Sequence, residues 1–462
     1  MWAAAASGQP AEPGQAARQA ASSDYEPAEA PFPGDFSWAP GSYAPADSPL
    51  RWGPFNGEIR IDAAYHYSFT NPVDNTISGS SEVFRHNEFQ VTQIGLGGDL
   101  YYKGVHARLM TQFGMYSQTT PRNDPSPARG QWSLADAYRY ISEAYGGYHI
   151  NALAGINIQA GIFMSYVGLF SYYNFDNWTY QPSYVSSNTP WLFNGARVQV
   201  FPKPNLKIEP WLINGWQSYG KFNEAPGFGL QIRWDPAEWL SVLGNQYFGM
   251  DTLGISDRKR LHTDDSIMIR WYHNPAAKGL SQGAASLTID AGCEFGGTGA
   301  RTSGESVEIE CGDQYFLGFM AYLRMWFFQN RFGLTLGGGA ISNPGRYLVL
   351  TPPINGATAF TGFSGVDANN QPVWTQNPGD PFTAWDVQAT LDYMPTRNIT
   401  FRLEYTHRGA SVPYFEGHGG LTPPNGAGSF VDQGPPGSAV AGWVPDLVKH
   451  EDRAALALLV RL

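Results

Sequence analysis

The sequence predicts an all-β fold, an antiparallel up-and-down β-barrel of about sixteen strands that crosses a membrane. Three observations carry that prediction. Segments of roughly ten residues alternate between apolar and polar side chains and recur to the end of the chain. Short turns and long loops follow one another in strict succession between these segments. Aromatic side chains gather on the apolar faces at both ends of the segments, where membrane–water interfaces favour them.

Composition agrees. The 462 residues are 42% hydrophobic, 15% aromatic and 15% charged, against about 25% charged in an ordinary soluble domain. So high an aromatic content excludes a disordered chain. No stretch approaches the ~18–20 apolar residues of a helical span; the greasiest run, Gly318 to Phe328, is broken by Arg324. A net charge of −11 argues against a nucleic-acid partner.

Met1 to Leu50 is rich in Ala, Pro and Ser, shows no period, and reads as a flexible or loosely docked extension. Its start, MWAAAASGQPAEPG, lacks the basic and apolar regions of a signal peptide. Either the export signal is absent from this sequence or the protein stays inside the cell, and the remaining pattern decides for export.

The barrel is expected over residues 57–462. Ile59, Ile61, Ala63, Tyr65, Tyr67 and Phe69 alternate with Arg60, Asp62, Ala64, His66 and Ser68. Val105, Ala107, Leu109, Thr111, Phe113 and Met115 alternate with His106, Arg108, Met110 and Gln112. Phe228 to Trp234, Ile267 to Trp271, Trp385 to Tyr393 and Ile399 to Tyr405 repeat the pattern. Short turns are expected at Lys103-Gly104, His149–Asn151, Pro202–Asn205, Asp235–Glu238, His273–Gly279, Gln329–Arg331 and Pro395–Asn398. Long loops are expected at Asn71–Arg85, Gln118–Leu134, Ser165–Leu192, Gln217–Pro226, Asp251–Thr263, Gly296–Gly312, Ser342–Phe382 and Gly409–Asp446. An even strand count puts both chain ends on the short-turn, periplasmic side.

Tyr102, Trp234, Trp271, Phe327, Phe332 and Tyr393 form one aromatic girdle near the turns; Tyr67, Phe69, Phe113, Trp385 and Tyr405 form the other. A lipid-facing Arg at mid-bilayer costs roughly 2–4 kcal/mol, which explains why charges keep to the opposite face. A soluble propeller or solenoid would carry Lys, Glu and Thr outward and a constant repeat length, and neither is present.

The polar face supplies the candidate site. Arg60, Asp62, Arg108, Gln112, Arg139, Glu143, Arg197, Arg233, Arg270, Asp290, Arg324, Asp386, Arg402 and Glu404 are expected to line a lumen. Sixteen strands leave room for water there, unless these charges pair into networks that fill the interior. The third long loop holds Tyr172, Tyr173, Trp178, Tyr180 and Tyr184 and is the candidate constriction; its rings could instead pack it onto the rim. Cys293 and Cys311 bracket the sixth loop, within disulfide reach on adjacent antiparallel strands. A disulfide there would fit an oxidising compartment, with free thiols as the alternative.

Catalytic motifs are missing: no G-x-S-x-G, P-loop, H-E-x-x-H or EF-hand loop occurs, and no two His residues stand at ligand spacing. The sequence therefore predicts no enzyme, no metal and no cofactor.

RHNEF (Arg85–Phe89), GIFMSYVG (Gly161–Gly168), NPGRYLVLTPPINGATA (Asn343–Ala359) and VPYFEGHGGLTPP (Val412–Pro424) resemble the OmpL-like β-barrel porins of Gram-negative bacteria. That resemblance runs from Gly57 to Leu462 and implies an outer-membrane barrel with a porin role, naming no solute. The chain departs from common barrels by ending in Leu462 rather than an aromatic, although Ala454, Leu456, Leu458, Val460 and Leu462 keep the alternation. The expected function is diffusion of small hydrophilic solutes through a barrel bounded by outer-membrane lipid. A substrate-selective channel, or a non-conducting barrel binding through its long loops, is the alternative. Homotrimer and monomer both stay open, because no single outer face stands apart.

Overall fold

The computed structural model describes residues 34–41, 49–121, 124–126, 129–252, 255–301, 303–346, 379–422 and 445–462. Its main sheet has seventeen strands. One is the two-residue Arg51–Trp52, which pairs only onto Phe55 and Asn56, and the other sixteen close a barrel. They are β1 (Phe55–Ser68), β2 (Glu88–Tyr102), β3 (Val105–Thr111), β4 (Ile141–Ile150), β5 (Ile156–Met164), β6 (Leu192–Lys203), β7 (Leu206–Ile213) and β8 (Gly227–Ala237). Then follow β9 (Leu240–Gly249), β10 (Lys259–His273), β11 (Leu280–Phe295), β12 (Tyr315–Phe327), β13 (Phe332–Ser342), β14 (Thr383–Thr396), β15 (Ile399–Ala410) and β16 (His450–Arg461). Every neighbour is antiparallel, and β1 pairs with β16 from Arg60↔Arg461 to Ser68↔Arg453, so no edge is left open.

Burial is inverted relative to a soluble sheet. Along β15, Phe401, Leu403 and Tyr405 face outward, while Thr400, Arg402, Glu404, Thr406 and Arg408 are buried inside. Apolar side chains face outward and polar ones inward, so the period-two pattern survives with its sense reversed, as membrane-spanning barrels require. The β2–β3 turn has only Lys103 and Gly104, both at positive φ (52° and 82°). Such a two-residue turn matches the twist of paired strands, and glycine meets its second position without strain.

Two sequence expectations are corrected locally. Arg139 does not point inward from a strand. Ser133 caps a short helix, Leu134–Tyr138, and Arg139 ends it, pairing with Asp136 in the second loop; β4 begins only at Ile141. The alternation from Val105 does not run to Met115 as strand, because Gly114 turns at φ 100° and a helical turn, Tyr116–Thr119, follows.

In the sixth loop Thr298–Ala300 pairs with Ser306–Glu308. Cys293 and Cys311 form a disulfide across its base, with Cα atoms 5.0 Å apart. No helix among the described residues is long and apolar enough to cross a membrane.

Candidate functional site

The barrel interior is occupied chiefly by the third loop, which folds inward rather than over the rim. Tyr172, Tyr173, Trp178, Tyr180 and Tyr184 are all buried there. Inward-facing charges on the wall hold its backbone. Glu404 accepts the N–H groups of Tyr180 (2.6 Å) and Gln181 (2.7 Å). Asp386 accepts Ser183 Oγ (2.8 Å) and Tyr184 N–H (3.0 Å). Arg402 donates to the carbonyls of Asn174 (3.1 Å), Asn177 (2.8 Å) and Thr179 (2.8 Å). Arg324 donates to Trp178 O (3.2 Å), and Asp62 accepts Tyr180 OH (2.9 Å) and Asn174 Nδ2 (2.8 Å). Irregular backbone inside a barrel has no strand partner, and an unpaired buried peptide group is costly, so these side chains substitute for a neighbouring strand.

The charges also pair with one another. Asp392 bridges Arg402 (2.7 Å) and Arg324 (2.7 Å). Arg108 meets Glu58 (2.9 Å), Asp99 (2.9 Å) and Glu143 (2.8 Å). Arg60 pairs with Glu58 and with Asp176 of the third loop (2.7 Å). Buried charges persist when such partners compensate lost hydration.

A cavity of about 380 Å³ remains between the third loop and the wall formed by β1 to β10. Of the expected lumen residues, Arg60, Arg108, Glu143, Arg197 and Arg233 border it, together with Asp99, Asp176, Lys207 and Glu209. Arg197 lies over the rings of Phe163 (4.5 Å), Trp211 (5.0 Å) and Tyr145 (5.2 Å), a cation–aromatic cluster on the cavity wall. Asp62, Arg324, Asp386, Arg402 and Glu404 lie beneath the third loop instead. Gln112 accepts Tyr172 OH (2.6 Å) at the end of β3. Asp290 contacts His262 (2.8 Å) and stands opposite Asp264 in the register. Arg270 lies between Asp35 (3.6 Å) and Glu238 (3.8 Å).

Asp35 belongs to a part of the site that sequence reasoning missed. Residues 34–41 of the Ala/Pro-rich extension lie inside the barrel at its short-turn end, where Trp38 is 1% exposed. Phe36 and Trp38 join an apolar cluster with Leu243, Met268 and Trp326, which point inward, and with Trp178 of the third loop. Large apolar side chains on an inward face that elsewhere carries many charges were the available signal.

At the long-loop end, the first and eighth loops are tied together. Glu416 accepts the N–H and Oγ of Ser78, each at 3.0 Å. Burial, with Glu451 close by, pushes its carboxyl up to about 8. Burial likewise pushes Glu82 in the first loop up to about 7, and its carboxylate accepts Gln181 Nε2 (3.0 Å). Most of the seventh and eighth loops, which the alternative reading takes as surface-binding elements, lies outside the described residues. Among the described residues no group of His, Cys, Asp and Glu is arranged to hold a metal.

A family model described as "Putative beta-barrel porin-2, OmpL-like" matches residues 55–429. Among solved structures, the chain is similar to the outer membrane channel DcaP of Acinetobacter baumannii, at 10% identity over 88% of this chain and 97% of that one, with TM-score 0.47. It is also similar to the anion-selective porin from Comamonas acidovorans (8% identity, 88% and 99% covered, TM-score 0.47). Pseudomonas putida OprB gives 11% identity, 88% and 94% coverage and TM-score 0.48. No curated protein matches the chain.

Proposed function

Starting from a chain that belongs to the OmpL-like β-barrel porin-2 family of the bacterial outer membrane, we propose that it is a diffusion channel for small hydrophilic solutes. The observation that carries this reading is the charged cavity beside the third loop. Arg60, Arg108, Arg197, Lys207 and Arg233 face Asp99, Glu143, Asp176 and Glu209 around about 380 Å³. Opposed charges across a narrow gap favour hydrated polar solutes over apolar ones. A volume near the lower end of small-molecule sites, about 300–1,000 Å³, suits solutes of monosaccharide or amino-acid size.

Swelling of proteoliposomes in solutes of graded size tests the reading. Monosaccharides and amino acids should enter and tetrasaccharides should not. Swelling that is independent of size would remove the narrowing role of the third loop. No swelling from correctly folded barrels would contradict diffusion altogether. A substrate-selective channel is the second reading, favoured by the Arg197 cluster with Phe163, Trp211 and Tyr145. Saturable uptake of one solute, abolished in Arg197→Gln, would support it over free diffusion.

A further inference from the structure

Two elements sit inside this barrel, and they are held in different ways. The third loop is fastened by charged side chains from β1, β12, β14 and β15, several of which bond its backbone directly. Residues 35–41 have no such fastening. They form no strand pairing; their bonds to the surroundings include Trp38 Nε1 to Glu238 O (3.2 Å), Trp178 Nε1 to Trp38 O (3.1 Å) and Gly41 N to Asp176 O (2.9 Å). Among the described residues, their ion pair with the wall is the long Asp35–Arg270 contact at 3.6 Å. Arg233 and Arg270 lie over the rings of Phe36 (5.5 Å) and Trp38 (5.6 Å), and the rest is apolar packing of Phe36, Trp38 and Ala39. Withdrawal leaves Arg233 with Asp235 (3.1 Å) and Arg270 with Glu238 (3.8 Å), whereas the third loop cannot leave without stripping several buried charges of their partners.

The position of the segment gives this difference a consequence. Glu238 lies in the β8–β9 turn, so the segment enters at the periplasmic rim, and Pro40 and Gly41 border the cavity from that side. Gly41 approaches the third loop so closely that a Cβ there would stand 2.4 Å from Leu169 O, at a φ of +69°. We propose that Asp35–Gly41 is a tethered plug: it closes the periplasmic side of the lumen at rest and withdraws to let a solute pass, while the third loop stays fixed. The plug rests on the reading of the barrel as a channel.

Single-channel records of the full chain in planar bilayers, compared with Trp38→Ala and Gly41→Val, test it. The first variant removes the anchor, and the second puts a side chain where the segment meets Leu169; neither position lies in a strand. Each should raise the ratio of open to closed time by roughly tenfold. A Cys pair, Gly34→Cys with Glu238→Cys, joins positions already in contact (a Cβ at 34 would stand 2.7 Å from Glu238 Cγ) and should lock the channel shut when oxidised. Reductant should reopen it, with the parental chain under the same reductant as control. If the intact chain conducts and neither the two variants nor the lock alters its open time, the plug is refuted and the channel stands. If intact chain and variants are all silent although folded, the channel reading fails and the plug with it.

Discussion

Arg402 shows what a charge does inside this barrel. It is 2% exposed, clamps Asp392 through Nε (2.7 Å) and Nη2 (3.0 Å), and donates to three carbonyls of the third loop. Removing one partner of a buried pair typically costs about 3–5 kcal/mol, because the other is left uncompensated. Arg402→Ala should therefore lower the unfolding free energy of refolded protein in urea by about 3–5 kcal/mol and its midpoint accordingly, and Arg402→Lys should recover only part, lacking the planar fork. An unchanged midpoint would mean that the clamp is not what holds the loop. Glu416 makes a pH-dependent prediction of opposite character. Its folded carboxyl holds its proton up to about 8, above the ordinary 4.5. Its contribution to the tie between the first and eighth loops is therefore complete below 4.5 and lost as pH rises through about 8. Arg408 and Arg453 face the same cluster, pairing with Glu451 at 2.6 and 3.3 Å. Proteolysis around Ser78 should be faster at about pH 9 than at about pH 6, and Glu416→Gln should remove the difference. Alternation alone assigned Arg402 and Glu404 to the interior; the backbone groups they hold lie in the third loop, more than two hundred residues earlier, and no local pattern reveals them.

The strands were the most legible elements, because a period of two is local and lipid imposes it at every lipid-facing position. The long-loop and short-turn order was legible for the same reason. Less so was the second loop, where Leu134–Tyr138 makes a helix too short to show periodicity, and Arg139 was misplaced with it. The inward third loop was visible as an aromatic-rich segment, but its destination depended on wall charges distributed over several strands. Cys293 and Cys311 were legible by position, since antiparallel neighbours bring the bases of a loop together. Their disulfide closes a loop with sequence separation 18, and loop closure of this size is worth about 3 kcal/mol in the chain-entropy model. The strands β11 and β12 are already paired up to Cys293↔Tyr315. Cys293→Ser with Cys311→Ser should consequently leave the wall pairing in place, speed cleavage within the sixth-loop hairpin and lower the barrel's unfolding free energy by up to about 3 kcal/mol. An unchanged unfolding free energy would show that the unfolded chain gains nothing from the cut.

At the scale of the whole molecule, the closed wall separates lipid from lumen, and each side obeys its own rule. Leu456 faces lipid opposite Leu403 across the β15–β16 pair. Leu456→Arg should cost about 2–4 kcal/mol of folding free energy in bilayers, as charges do at mid-depth. A cost near zero would place that strand shallower than the register implies. Inside, charge networks and the third loop fill much of a wide barrel and leave a cavity of about 380 Å³, and that filling is what the global alternation could not state. The extension before β1 was equally opaque: its docking depends on Leu243, Met268 and Trp326, scattered over three strands. The central claim is that solutes pass through what remains. Single-channel conductance of the intact, refolded chain, with reversal potential at asymmetric salt, addresses it most directly. The account predicts discrete steps of small amplitude, reduced by added monosaccharide or amino acid. Large steps insensitive to such solutes would contradict the narrow lumen, and silence from the folded intact chain and from folded Trp38→Ala alike would contradict passage itself.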